Sequence, residues 1–104
     1  MSNVSYEWDE ANRRNQRKHK VSFELAKLVF EDELRIIGLN RTDETGEQRW
    51  HAIGSLSTES ASSVVLLVAF TFREDSFGEE IIRIISARKA EKGEIRRYQK
   101  QAMD

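Results

Sequence analysis

VVLLVAFTF, the stretch Val64–Phe72, decides the fold, because it is apolar throughout except for Thr71. An unbroken apolar run of this length, rich in β-branched and aromatic residues, is typical of a strand covered on both faces of a sheet. It is about half as long as a membrane-spanning helix needs to be. We therefore predict a central strand over these residues.

The segments on either side of this run also carry strand patterns. Gln48–Ile53 alternates between two faces, and this alternation places Arg49 and His51 on the same face. Short connections between long strands favour an antiparallel meander. The other predicted strands are Val4–Trp8, Leu34–Leu39 and Ile81–Arg88, and the predicted connections are Ser55–Ser63 and Arg73–Glu80.

Helix patterns precede and follow these strands. Asp9 is a candidate N-cap for a helix over Glu10–Arg17, and Ser22 for a helix over Phe23–Phe30. A third helix is predicted over Ala90–Gln101. The element order β-α-α-β-β-β-β-α predicts an α+β fold. In this fold a small, mostly antiparallel sheet has two N-terminal helices and one C-terminal helix packed on one face.

Length and composition exclude several classes of protein. The chain has 104 residues, which predicts a single domain over residues 1–104. It has no Cys and two His, so disulfides, thiol catalysis and Cys-based metal sites are excluded, and we predict neither a metal site nor a cofactor. No secretory signal or membrane-spanning run is visible, so the cytoplasm is the expected location. The sequence also has no glycine-rich phosphate loop, Ser-His-Asp arrangement or dinucleotide fingerprint.

The charged residues are segregated, although the net charge is only −1. Asn12–Lys20 holds five Lys and Arg and no acid, and Arg83–Lys100 holds seven against Glu91 and Glu94. Glu31–Glu47 holds six acids against two Arg. Because polyanion binding depends on the local potential, the two basic segments predict a surface for RNA or for an acidic partner.

Two pairs of residues are candidates for chemistry on a phosphodiester. Lys18-His19, between the first two helices, offers a proton-transfer group beside a cation; the alternative is a solvated hinge. Arg49 and His51 lie about 6–7 Å apart along one strand face and can span one phosphodiester. The alternative is an exposed polar face that keeps the sheet soluble.

The stretch Ile81–Lys89 (IIRIISARK), which contains the predicted strand Ile81–Arg88, is the most unusual in the sequence. Arg83 stands among Ile residues, where a charge is costly unless it is paired or faces a cleft. Ser86 and Arg88 follow near the end of the strand. Arg83 and Arg88 have opposite parity on a regular strand, so both reach one site only if Arg88 lies beyond the strand end.

Several short motifs resemble one known family when they are taken together and in order. They are Tyr6-Glu7-Trp8-Asp9, Lys18-His19, Val21-Ser22-Phe23-Glu24, Glu47-Gln48-Arg49-Trp50, and Ile84-Ile85-Ser86-Ala87-Arg88-Lys89-Ala90 with Glu94 and Tyr98. In these motifs the chain resembles the BrnT family, the toxin half of BrnT–BrnA type II toxin–antitoxin systems. The chain also departs from the family pattern: Gly93 interrupts the last helix, Glu79-Glu80 lie beside the Arg83 strand, the Ser55–Ser63 segment is longer than is typical, and two single positions differ. Lys20 stands where the family usually has a small Gly, and Glu91 where it usually has Thr.

The resemblance implies a fold similar to that of RelE-type ribonucleases and a metal-independent cleavage of RNA that arrests translation. It also implies an antitoxin partner, a BrnA-like ribbon-helix-helix protein that carries the complex to operator DNA. The alternative function is a non-catalytic module that binds nucleic acid or protein through the same basic faces.

The resemblance also implies site residues. His19, with Lys18, is the expected acid or base, and three arginines are expected to hold the phosphate. The implied catalytic residues are Lys18, His19, Arg49, Arg83 and Arg88, and the candidate substrate-binding residues are His51, Ser86, Lys89 and Arg14.

Overall fold

The fold is an α+β arrangement built on one five-stranded sheet, and the computed structural model describes residues 4–9, 14–56 and 64–103. The elements are β1 Val4–Glu7, α1 Arg14–His19, α2 Phe23–Ala26, a 3₁₀ helix Lys27–Glu31, β2 Ile36–Thr42, β3 Gln48–Leu56, β4 Val64–Glu74, β5 Glu80–Lys89 and α3 Lys92–Met103. The strand order is β1-β5-β4-β3-β2. β1 pairs with β5 in parallel and the other neighbours are antiparallel, so the sheet is mixed.

β4 lies in the middle of the sheet and is buried on both faces, which confirms the central strand predicted from its apolar run. On one face Leu66 and Val68 pack against Ala26 of α2 and Val29 of the 3₁₀ helix. On the opposite face Leu67 packs with Ile53 and with Tyr98 of α3. We call these the α2 face and the α3 face.

The helices are arranged differently from the prediction. They pack on both faces of the sheet and not on one, because the apolar side chains of Ile53 and Leu67 on the α3 face also need a cover. The chain does not begin with two helices, since β1 precedes α1. The predicted helix Phe23–Phe30 splits into α2 and the 3₁₀ helix, whose tighter turn sets Phe30 edge-on against Phe70. The predicted start of the first helix at Glu10 lies outside the described residues.

The two described hairpins use the same turn. In each, the carboxylate of an aspartate accepts two backbone N–H groups, Asp43 between β2 and β3 and Asp75 between β4 and β5. Each turn contains a glycine in the left-handed region, Gly46 with φ of 88° and Gly78 with φ of 80°. Because the strands alternate in direction, both turns lie at the same end of the sheet, which we call the turn end.

Several strand boundaries differ from the predicted ones. β2 begins at Ile36, not at Leu34, because the backbone N–H of Leu34 is bonded to the side chain of Asp32 in a turn. Ser55, predicted to open a turn region, lies in β3, which ends at Leu56. The rest of that turn region, residues 57–63, lies outside the described residues.

Candidate active site on the α3 face

A β-bulge places Arg83 and Arg88 on the same face of the sheet. Ala69 of β4 pairs with Ser86, whereas the next residue, Phe70, pairs with Ile84, so Ile85 is an extra residue in β5. The expectation that Arg88 must lie beyond the end of the strand to share a site with Arg83 is therefore wrong. Arg88 belongs to β5, and the inserted residue corrects its parity.

His51 stands in a row of small residues on the α3 face. It lies opposite Gly38 of β2 and Ala69 of β4, and Ser86 of β5 continues the row. The row therefore offers an imidazole and a hydroxyl separated by two strand spacings, about 10 Å. Arg49, two residues earlier in β3, extends toward the same face as His51, as its alternation predicted.

Arg88 is held by a carboxylate from the start of α3. Its Nη1 and Nη2 donate to the two carboxylate oxygens of Glu94 at 2.8 and 2.9 Å. Oε1 of Glu94 also accepts the backbone N–H of Glu91 at 2.8 Å, as the third helical residue does in a capping box. The same carboxylate thus caps α3 and fixes the guanidinium of Arg88 against the sheet.

This ion pair lies close enough to His51 to affect its protonation. Burial lowers the pKa of His51 below its usual 6.5, the positive charge of Arg88 lowers it further, and Glu94 opposes both effects. The hydrogen bonds to Glu94 raise the pKa of Arg88, so the guanidinium keeps its charge. Burial and Arg88 thus favour the neutral form of the imidazole, which is the form in which a general base accepts a proton.

Arg83 is an exposed residue and not a charge in the core. The neighbouring Ile82 and Ile84 point to the α2 face, and the side chain of Arg83 is 48% exposed. Its Nη1 lies 3.5 Å from Oε1 of Glu7 in β1, an oxygen that also accepts a hydrogen bond from Arg73 at 3.0 Å. Arg83 therefore forms an ion pair, and because this pair is open to solvent the guanidinium is also accessible to a ligand.

Arg49 has a donor that nothing in the described structure satisfies. Its Nε is buried and makes no hydrogen bond within the described residues, since the nearest carboxylate oxygen, on Asp43, is 3.9 Å away. A buried polar atom without a partner is uncommon in folded proteins and costs free energy.

The remaining candidate residues do not all join this cluster. α1 contacts β5, so the two basic segments lie side by side. Within the described part of the chain, however, no hydrogen bond or ion pair links Lys18 or His19 to the residues above. Lys89 lies opposite Leu66 on the α2 face, away from Arg88. Arg14 belongs to α1, but its side chain lies outside what the structure describes.

Metal ligands and membrane-spanning helices were also sought among the described residues. Nowhere in residues 4–9, 14–56 and 64–103 do three His, Cys, Asp or Glu side chains group as metal ligands. Of the helices in these ranges, none has the length and apolar character needed to cross a bilayer.

A family model described as the ribonuclease toxin BrnT of type II toxin–antitoxin systems matches residues 8–94. The chain belongs to the BrnT family. The match covers β2 to β5 and the start of α3, and so includes Arg49, His51, Arg83, Arg88 and Glu94. This BrnT-family chain is thus a ribonuclease toxin whose system includes an antitoxin partner. A comparison with curated proteins found no match.

Proposed function

We propose that this BrnT-family toxin is an endoribonuclease that cleaves RNA on the α3 face by transesterification without a metal ion. The observation that carries the proposal is the position of His51 on the same face of the sheet as the Arg88–Glu94 pair, where burial and the charge of Arg88 lower the pKa of the imidazole. Arg49 supports it, because it extends from β3 toward the same face as His51 and its side chain is 31% exposed, so its guanidinium can contact a phosphate.

In this mechanism His51 acts on the nucleophile. Its imidazole accepts the proton of the ribose 2′-OH, and the oxygen attacks the neighbouring phosphorus. The O2′–P bond forms and the P–O5′ bond breaks, which leaves a 2′,3′-cyclic phosphate and a 5′-hydroxyl. A positioned base of this kind contributes about 10²–10⁴-fold to the rate.

The arginines and α1 supply the other parts. Arg49, Arg83 and Arg88 stabilise the negative charge that develops on the phosphorane oxygens, which is worth several kcal/mol in a preorganised site. The proton for the leaving O5′ comes from His19 or Lys18. This assignment is supported by the contact between α1 and β5, the strand that carries Arg83 and Arg88.

We further propose that the antitoxin is a BrnA-like ribbon-helix-helix protein. It covers the α3 face with an acidic segment, because occupying the basic face is the simplest way to block RNA. The toxin then reaches operator DNA only through this complex. Since its substrate is RNA and its effect is on translation, we place its action in the cytoplasm.

A cleavage assay with purified protein tests the proposal. The expected result is RNA cleavage that EDTA does not reduce, with cyclic phosphate at the new 3′ ends. His51→Ala should lower the rate about 10²–10⁴-fold. Lys27→Ala, on the 3₁₀ helix and away from the α3 face, is the matched control and should keep the full rate.

The arginines are tested in the same assay. Arg83→Ala should abolish cleavage and keep the melting temperature within a few degrees, because an exposed ion pair contributes only about 0–1 kcal/mol. Wild-type protein that cleaves no RNA, or cleavage that EDTA stops, would overturn the mechanism and favour the non-catalytic binding module. Full activity of both His51→Ala and Arg83→Ala would overturn the site.

A further inference from the structure

An apolar groove crosses the α2 face at the turn end of the sheet, beyond the strip that α2 and the 3₁₀ helix cover. Its volume is about 570 Å³. Ile37 at one end is 46% exposed and Phe72 near the middle is 47% exposed. The aromatic and aliphatic side chains that line the groove include Tyr6, Ile37, Trp50, Phe70, Phe72 and Ile82.

The shape of the groove suits one helix. Its lining residues come from all five strands, from Ile37 in β2 to Tyr6 in β1, so it crosses four strand spacings, about 19 Å. An α-helix of about 13 residues has this length. A helix laid across the strands would bury Phe72 and Ile37 in the way that α2 and the 3₁₀ helix bury the adjoining strip.

Two carboxylates at the edge of the groove lack a counter-charge. Glu74 of β4 pairs directly with Glu80 of β5, and Glu80 lines the groove. Like charges directly opposite each other destabilise a sheet. Among the described residues neither glutamate forms an ion pair. Lys or Arg from a bound segment would sit between them and remove the repulsion.

We propose that this groove binds a basic amphipathic helix of the antitoxin. The inference depends on the antitoxin partner that the family implies, but not on the catalytic mechanism. Arg35 also lines the groove and donates to the backbone oxygen of Asp32, but phosphates would be repelled where Glu74 and Glu80 lie, so RNA is disfavoured there. The two glutamates favour a helix that has Lys or Arg beside its apolar stripe. A second copy of this chain is a poorer fit. Its helix of suitable length is α3, and Tyr98 of α3 is already buried against its own sheet.

The proposal predicts two separate surfaces on the toxin. The groove lies on the α2 face, whereas Arg88 and His51 lie on the α3 face. A helix in the groove therefore does not compete with RNA, although the same antitoxin can cover both faces through different segments. Binding through the groove and inhibition of cleavage can then be separated by mutation.

Labelled 14-residue peptides test the chemistry of the groove. The first peptide has a Leu stripe flanked by Lys, the second has the same stripe flanked by Glu, and the third has the Lys composition in scrambled order. The first should bind at least about tenfold more tightly than the other two. Equal binding of the Lys and Glu peptides would overturn the proposal.

Variants of the toxin locate the binding site. Phe72→Ser and the double variant Glu74→Gln with Glu80→Gln should each weaken binding of the Lys peptide at least about tenfold. Glu44→Gln removes one negative charge on the other turn, outside the groove, and should bind as wild type does. Phe72 and the glutamates are exposed or at the surface, so these variants should fold, and all should cleave RNA at the wild-type rate.

The full partner provides the second readout. When toxin and antitoxin are expressed from one operon, Phe72→Ser should lose stable co-purification and Glu44→Gln should keep it. The wild-type toxin could form a dimer that the Phe72→Ser variant does not form. That result would show that a second copy of the chain occupies the groove, and it would overturn the proposal. RNA that competes with the Lys peptide would also overturn it. Neither result would affect the cleavage mechanism, which is measured separately.

Discussion

Lys20 is the one non-glycine residue with a positive φ among the described residues, with a value of 60°. A side chain in the left-handed region costs about 1–2 kcal/mol, and only glycine avoids this cost. The residue ends α1 and turns the chain into Ser22, the N-cap of α2. The turn explains why a small Gly suits this position in the BrnT family.

Lys20→Gly is therefore expected to stabilise the protein. Part of the gain is offset because glycine has more conformational freedom in the unfolded chain. The net increase in the free energy of unfolding should be about 0.5–1 kcal/mol, measured by urea denaturation. The matched control is Arg17→Gly inside α1, which should lose about 1 kcal/mol. A destabilised Lys20→Gly would contradict the strain at this residue.

The lowered pKa of His51 makes a second prediction, on stability against pH. Between the depressed pKa of the folded protein and the ordinary value of 6.5, the unfolded chain binds more protons than the folded one. The free energy of unfolding should consequently fall as the pH drops through 6.5, and it should stop falling below the folded pKa. Urea denaturation from about pH 8 to about pH 5 measures this slope.

His51→Gln is the variant that isolates this effect. It removes the titrating group, so its stability should depend less on pH across the same window. Thr71→Val, in β4 opposite Arg83, changes no titratable group, so it serves as the control and should keep the slope of the wild type. An unchanged slope in His51→Gln would mean that the imidazole is not held in its neutral form by this site.

At the scale of elements, one carboxylate ties α3 to the sheet. Oδ2 of Asp32 accepts the hydroxyl of Tyr98 at 2.5 Å and the backbone N–H of Ser55 at 2.8 Å. Partial burial alone would raise the pKa of Asp32, but these hydrogen bonds outweigh it and lower the pKa. The contact therefore stabilises the fold above the ordinary pKa of 3.8, and this contribution is lost as the pH falls.

Tyr98→Phe tests how much this contact contributes. The variant keeps the buried ring but removes the hydroxyl, and we expect a loss of about 1–2 kcal/mol in the free energy of unfolding at neutral pH. Tyr6→Phe is the matched control, because among the described residues the Tyr6 hydroxyl makes no hydrogen bond. Equal losses in the two variants would show that the Asp32 contact contributes nothing specific.

The strand pattern was predictable where side-chain burial dictates it. The run Val64–Phe72 is apolar on both sides because β4 is covered on both sides, and the alternation of Arg49 and His51 follows from the half-open α3 face. Strand ends were less predictable, because hydrogen bonds of single aspartates set them. Asp75 closes its turn only after β4 has run on through Glu74.

The site was only partly predictable for the same kind of reason. The extra residue Ile85 puts Arg83 and Arg88 on one face of the sheet. The alternation of side chains in the sequence cannot reveal such a bulge, because it shows only in the pairing of β5 with β4. The partner of Arg88 did leave a signal in the sequence. Glu94 is the third residue of α3, the position from which a carboxylate reaches back to the helix start.

At the scale of the whole molecule, opposite faces of one sheet carry opposite chemistry. The α3 face has Arg49, Arg83 and Arg88, whereas the groove on the α2 face is bordered by Glu74 and Glu80. The net charge of −1 conceals this separation, because it sums 17 Lys and Arg against 18 Asp and Glu over the whole chain. This separation suits a ribonuclease that must bind RNA and a protein inhibitor, since the glutamates beside the groove repel RNA and leave the groove to the inhibitor.

The last prediction concerns the salt dependence of RNA binding to the α3 face. RNA with 2′-O-methyl groups lacks the nucleophile, so binding can be measured without cleavage. Each phosphate contacted on a single strand contributes a slope of about −0.7 to the plot of log K against log salt. Arg83→Ala and Arg49→Ala should each reduce the steepness by about 0.7. Lys27→Ala, on the other face, should leave it unchanged.

The double variant of Arg49 and Arg83 extends the test to the face as a whole. If both arginines contact phosphates of one bound strand, its slope should be shallower by about 1.4, the sum of the single effects. A wild-type slope near zero would mean that the basic residues of the α3 face are separate solvated charges, and that RNA is not held there. If Lys27→Ala reduced the slope as much as Arg83→Ala does, the RNA would be bound on the other face.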